Sequence, residues 1–342
     1  MAETVKNILP DISVVLPVYN GEKFLRDAIR SLLDQTFKNF ELLVVNDGST
    51  DRSLEIIKSF TDKRIKLIEL RKNSGLIFAL NTGITQSKGK YIVRMDADDI
   101  CTANRLEVQF QHMESFPELG VCGTDYDNFS ETFYKTCRTI KGNEQLKAWL
   151  LFSTPLCHPS VIIRKSILPE NPYDANFRHV EDYELWTRLA LSCSMENLPL
   201  SLLKYRHHPA QISNEKRAEQ LNRMAEIQSK YLVRLGFKFS ESELLFHVRL
   251  SFGNKLDHLD QLSKAEYWFL NLIEQNKKNQ SLNDSALRYC TARMFYDLCG
   301  NTTLGLRAYL HWYKSPLRQF YGLGFNYGFR QLIKCLIRNI MR

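Results

Sequence analysis

Three carboxylates stand within four residues in the stretch YIVRMDADDI, at Asp96, Asp98 and Asp99. Like charges packed that closely repel, so something must compensate them. Two compensations are open. Water can do it around a solvated acidic turn that caps the next helix through Asp99 or Thr102. A divalent cation can do it too. Hard cations such as Mg²⁺ and Mn²⁺ take oxygen ligands and commonly bridge a protein carboxylate to substrate phosphates.

The elements around this cluster decide how it is presented. Residues Tyr91 to Met95 read as a buried strand that ends at the carboxylates. ISVVLPVYN, from Ile12 to Asn20, is another β-branched apolar run, closed by Asn-Gly. FELLVVNDGSTD, from Phe40 to Asp51, is a strand ending in a polar loop, with Ser49, Thr50 and Asp51 available to cap the following helix. IKLIEL, from Ile65 to Leu70, is a further strand. Helical spacing links Phe24 to Leu33, Leu76 to Gln86 and Asn104 to Phe116. Strands that alternate with helices of this length imply parallel crossover units. Ligands in such sheets bind beyond the carboxyl ends of the strands. The loops at Tyr19-Asn20, Asn46 to Ser49 and Asp96 to Asp99 are therefore expected on one edge.

Beyond Leu119 the pattern loosens. LGVCGTDY, FYKTCRTI and SLLKYRHH look like strands, SVIIRKSI is mixed, and HVEDYELWTRLAL is helical. From Asn214 the chain reads as mostly helical. The expected organisation is an α/β domain over residues 1–213 and a mostly helical region over 214–342.

Composition narrows the partners without choosing among them. The chain has 342 residues, 44% hydrophobic and 25% charged, with a net charge of +8. A basic balance suits nucleic acid, phosphorylated small molecules or an anionic membrane surface. The eight cysteines form no CxxC pair, so scattered thiols in a reducing compartment are expected, without zinc or disulfides. The start MAETVKNILPD has no long apolar stretch, and no segment approaches about 20 apolar residues. The expected location is cytoplasmic, or peripheral on the cytoplasmic face of the membrane.

Seven stretches together carry a family pattern: VVLPVYNGEKFL, SLLDQTF, ELLVVNDGSTD, NSGLIFALNTGI, GKYIVRMDADD, HVEDYELWTRL and YRHHPAQIS. The chain from Ile12 to about Ser213 resembles the family 2 glycosyltransferases. These have the GT-A fold, a Rossmann-like mixed α/β sheet flanked by helices. Two departures stand out. Thr102-Ala103 stands where a proline usually follows the acidic cluster, and bulky Ile77 and Phe78 stand where small or polar residues are common.

The resemblance implies inverting transfer of a sugar from a nucleoside diphosphate, by family habit UDP, to an acceptor hydroxyl. It makes Asp96-Ala97-Asp98 the DxD motif, with Asp98 as the direct ligand of Mn²⁺ or Mg²⁺ and Asp96 facing the ribose or a metal-bound water. It makes Asp47 the acceptor of a base N–H, with Gly48 allowing the tight turn. Pro17, Val18, Tyr19 and Asn20 lie at the first-strand end beside the base, Tyr19 being either a base contact or core. Asn73 and Gly75 border the nucleotide. Asp182, with Glu181 as second choice, takes the proton from the acceptor hydroxyl; the other reading is carboxylates favoured by a helix start. Arg206 would hold the diphosphate and His208 would join the metal ligands, with His207 an open alternative. His158 and Trp186 are weaker acceptor-side candidates, and Trp186 is equally readable as core.

The last stretch, GFRQLIKCLIRNIMR, has an apolar face and a basic face. It is either an interfacial helix on an anionic leaflet or a helix packed on the protein. With the resemblance, it points to a glycan or lipid-linked acceptor in cell-surface polysaccharide, lipopolysaccharide or lipid-linked oligosaccharide synthesis. No nucleic-acid-binding signature is visible. A non-catalytic nucleotide-sugar or glycan scaffold and a nucleotidyltransferase are the competing readings. The first strand ends in VYNGEKF, which lacks the glycine-rich basic loop of the latter.

Overall fold

The structure is a computed structural model, which describes residues 9–208, 217–252 and 256–321. The basic segment at 328–342 and the residues 209–213 of the YRHHPAQIS stretch lie outside the described residues. The chain divides into two compact units: Met1–Asn143 with Pro155–Arg217, and Glu144–Thr154 with Ala218–Arg342.

The first unit is built on β1 (Ile12–Val18), β2 (Phe40–Asn46), β3 (Ile65–Glu69), β4 (Tyr91–Arg94), β5 (Ile100–Cys101), β6 (Leu119–Phe129), β7 (Tyr134–Cys137), β8 (Ile162–Arg164) and β9 (Ser194–Arg206). They form one sheet in the order β3-β2-β1-β4-β8-β6-β9-β5, with β7 on β6. The first four strands in that order are parallel, and β8 then pairs antiparallel with β4. This is the mixed α/β sheet the sequence implied. Every residue of β1 and β2 is buried. Apolar runs without alternation belong in strands covered on both faces.

Helices α1 (Leu25–Leu33), α2 (Ser53–Lys58), α3 (Leu76–Gln86) and α4 (Arg105–Ser115) supply the cover, and α3 spans the residues its spacing predicts. Register fixes the edge. Val18 pairs with Asn46, and Val15 with Arg94, so the loops after β1, β2 and β4 leave the sheet on the same side.

The second unit joins the short α5 (Asn143–Trp149) and the residues after it to the later helices. Helix α6 (Glu181–Leu189) belongs to the first unit. Then follow α7 (Arg217–Arg234), α8 (Glu241–Ser251), α9 (Leu259–Asn279), α10 (Asp284–Asn301) and α11 (Leu306–Lys314). Leu151 and Phe152 are fully buried, as are Phe269 and Phe295. Buried His247 ties this core together. Its Nε2 lies 2.7 Å from the Leu151 carbonyl, and its Nδ1 accepts from Trp268 Nε1 at 3.0 Å. A neutral ring satisfies both contacts, and burial lowers its pKa to about 4. Among the described residues no helix is long and apolar enough to cross a membrane. No disulfide joins the seven described cysteines.

Candidate active site

The loops after β1 and β2 are stitched by side chain to backbone. Asn20 adopts a left-handed conformation at φ 51°. Its Oδ1 accepts from Thr50 N at 2.9 Å, and its own N–H donates to Ser49 Oγ at 3.1 Å. Gly21 N donates to Ser53 Oγ at 2.8 Å, and Glu22 N to Asp51 Oδ2 at 3.0 Å. The expected capping of α2 by Ser49, Thr50 and Asp51 is thus only partial. The residue before the helix is Arg52, which makes no side-chain cap bond, while Asp51 Oδ1 accepts from Ser53 N at 2.9 Å. Long-range stitching takes the rest. Pro17 and Val18 are buried, whereas Tyr19 is 50% exposed at the strand end, which rules out its reading as core.

Asp47 is 3% exposed, and its two carboxylate oxygens accept from Ser74 N at 2.7 Å and Gly75 N at 2.8 Å. It pins the loop that carries Asn73 and Gly75, a job that sequence reasoning did not assign. Gly48 follows at φ 65°, and a Cβ there would meet the Lys72 carbonyl carbon at 2.5 Å. Only glycine allows the two loops to close this far.

The acidic turn has a buried cation beneath it. Arg94, at the end of β4, donates from Nη1 to Asp96 Oδ2. Its side chain is 6% exposed, and its Nε has no partner among the described residues. Asp98 Oδ2 lies 2.9 Å from His208 Nε2. Asp99 is 1% exposed; its Oδ1 accepts from Arg206 N at 2.9 Å, while its Oδ2 is buried without a hydrogen bond. Burial, and then the charges of Asp96 and Asp98, push the Asp99 pKa well above the usual carboxylate range. Burial also raises Asp96, against the pull of Arg94. Oxygen atoms of the three carboxylates lie within 4.8 Å of one another. Clustered hard oxygen donors, one of them orphaned, fit a divalent cation. Ala97 completes the turn, and a Cβ on Gly21 would lie 3.5 Å from that of Ala97.

The structure separates the two histidines. His208 faces Asp98, whereas His207 Nε2 pairs with Asn128 Oδ1 at 2.7 Å. Arg206 is engaged as a brace. Its Nε donates to the Asp98 carbonyl at 2.7 Å, and its guanidinium lies between Phe24 and Phe129, 4.4 and 4.6 Å from the ring centres. These contacts brace the acidic turn from the strand that ends at Arg206.

Helix α6 opens with the second acidic pair. Glu181 is buried, and desolvation, then the Asp182 charge, raise its pKa to about 7. Asp182 is half-buried, its Oδ1 accepts from Tyr183 N at 2.8 Å, and burial raises its pKa. Arg94 lowers both. Beside them His158 Nε2 lies 2.7 Å from the Tyr173 hydroxyl, and burial, then Arg94, drive the His158 pKa well below the usual value. Trp186 is fully buried edge-on to His158, with ring centres 5.9 Å apart. That corrects its reading as an acceptor platform, since a covered ring has no face to offer.

Arg94 and Tyr173 are the residues that sequence reasoning missed. The signal for Arg94 was a charged side chain closing a buried apolar strand.

A relative from Haemophilus influenzae, an uncharacterized glycosyltransferase, is 31% identical over 246 residues, 66% of this chain and 76% of the relative. The chain belongs to glycosyl transferase family 2. The model of that family matches residues 13–170 of the glycosyltransferase. An uncharacterized glycosyltransferase from Rickettsia prowazekii is 32% identical over 240 residues, 66% of the chain and 73% of the relative. Among solved structures, S. aureus TarS 1–349 in complex with UDP-GlcNAc has a TM-score of 0.56 at 18% identity, covering 91% of this transferase and 89% of that chain. That likeness shows the GT-A fold. The family match takes in Asp47, the acidic turn and His158, while α6, Arg206 and His208 of this glycosyltransferase lie beyond it.

Proposed function

We propose that the enzyme transfers a sugar, with inversion, from a nucleoside-diphosphate sugar of the UDP class to an acceptor hydroxyl. The observation that carries this reading is the placing of the acidic turn and the α6 acidic pair around one buried cation, Arg94. The binding of UDP-GlcNAc by the TarS fold relative supports the donor class.

The donor base lies beside Tyr19, with Asp47 holding the Asn73 and Gly75 loop against it and offering a remaining lone pair to a ring N–H. Asp98, His208 and Asp96 would hold Mn²⁺ or Mg²⁺. Such an ion supplies Lewis-acid charge to a departing diphosphate. Asp182 accepts the acceptor hydroxyl's proton as that oxygen bonds to the anomeric carbon. The bond from that carbon to the diphosphate oxygen breaks in the same displacement, its electron pair leaving with the diphosphate. Arg94 favours the deprotonated base. Desolvation raises its pKa and so strengthens it as a proton acceptor.

The acceptor is a glycan or lipid-linked glycan of surface polysaccharide, lipopolysaccharide or lipid-linked oligosaccharide synthesis. The basic amphipathic pattern of the C-terminal sequence supports peripheral docking on an anionic membrane, on the cytoplasmic side. Loss of liposome pelleting on truncation near Tyr313 is the expected outcome; equal pelleting of the truncated chain would remove that part.

The test of the donor site is thermal stability with UDP, GDP, CDP and dTDP, each with and without Mn²⁺. A nucleotide at 100 times its Kd adds about 2.7 kcal/mol. A UDP shift that needs the metal is expected. A folded protein that none of the four stabilises would overturn the reading.

A further inference from the structure

Phe78 is 52% exposed in the first turn of α3. It lines a cleft of about 230 Å³ with Asn81, Thr82, Thr85, Gln86 and Asn171. The lining is one aromatic ring, the carboxamides of Gln86 and Asn171, two threonine hydroxyls and Asn81, whose carboxamide is engaged by the Tyr173 backbone, with no charged side chain. Phosphates and carboxylates therefore find no counter-ion there. A neutral pyranose fits the chemistry better. Its C–H face is apolar and covers an aromatic ring, while its rim of hydroxyls needs partners that both donate and accept, as carboxamides do.

The wall opposite α3 is built. Asn171 is held in the left-handed region at φ 52°. The next carbonyl, of Pro172, accepts from Arg188 Nη2. Tyr173 is clamped on both sides by Asn81, whose Nδ2 donates to its carbonyl at 2.8 Å and whose Oδ1 accepts its N–H at 3.1 Å. A preformed cleft avoids the cost of ordering its wall on binding. Tyr173 also leads inward, through its hydroxyl to His158 and on to Trp186 of α6, the helix that opens with Glu181 and Asp182.

We infer that this cleft is a subsite for a neutral pyranose of the acceptor glycan, with Phe78 as its stacking face. The inference rests on the transferase reading above. The test is saturation-transfer NMR on the full chain, with a panel of the methyl glycosides of glucose, galactose, mannose, N-acetylglucosamine and N-acetylgalactosamine. At least one glycoside is expected to receive saturation from wild type, to bind about fivefold more weakly to Phe78→Ala, and to be retained by Phe78→Tyr. No saturation of any glycoside, or binding that Phe78→Ala leaves unchanged, would overturn the subsite. The UDP and Mn²⁺ stability shift, read on the same wild-type sample, reports the donor site separately. A shift without glycoside binding therefore discards the subsite alone.

Discussion

Arg94 donates from Nη1 to Asp96 Oδ2 beneath the acidic turn, from a side chain that is 6% exposed. Asp96, Asp99, Glu181 and Asp182 all feel its charge. A buried cation with several acidic neighbours offsets charge that would otherwise oppose folding of the site. Arg94→Met leaves those groups without it. The expected loss is about 3–5 kcal/mol of stability, together with transfer activity. Denaturant unfolding checks it, and a variant as stable as wild type would show that Arg94 is not their counter-ion.

Asp98 and His208 meet at 2.9 Å. Asp98→Asn and His208→Ala should each weaken Mn²⁺ affinity by at least about 10–100-fold, the range already seen on losing a partner that only supports the ligands. His207→Ala should leave it unchanged, since His207 faces Asn128. Titration by the relaxation rate of water protons measures all three. Equal losses for both histidines would undo the assignment.

Asp182→Asn should keep the UDP stability shift and lower transfer by about 10²–10⁴-fold, the usual worth of a general base. Wild-type turnover in this variant would move the base elsewhere, with Glu181→Asn the next variant to assay.

Glu181 has a folded pKa near 7, raised first by burial. Its protonated form is favoured in the folded state. That stability is fully present below the unfolded pKa near 4.5 and is lost as pH rises through 7. Glu181→Gln removes the ionisation, so its stability relative to wild type should improve between pH 5 and pH 8 by up to about 3 kcal/mol. A pH-independent difference in unfolding free energy would refute it.

His247 works in the opposite sense. Its folded pKa is near 4, so the unfolded state takes up a proton first as pH falls below 6.5. Stability is complete above that value and declines toward pH 4, by at most about 3 kcal/mol. The decline should shrink in His247→Gln. Calorimetry at pH 7 and pH 5 on both proteins gives the comparison, and identical slopes would contradict it.

By itself the sequence determined the parallel half of the sheet and the edge where its loops meet. Apolar runs of β-branched residues and helical spacing are local signals, so α3 could be read to its residues and Asp96, Asp98 and Asp182 named as chemical groups. Tertiary structure decided which residues meet in space. Asp47 reaches Ser74 and Gly75 across 27 and 28 residues, and His208 reaches Asp98 across 110. Adjacent histidines look alike in a sequence, and only the strand that delivers them aims one at Asp98 and the other at Asn128. Trp186 reads equally as platform or core until its burial is known, and Arg94 reads as an ordinary strand end until the carboxylates around it are placed. Electrostatics and burial depend on distance in space, which local pattern does not encode.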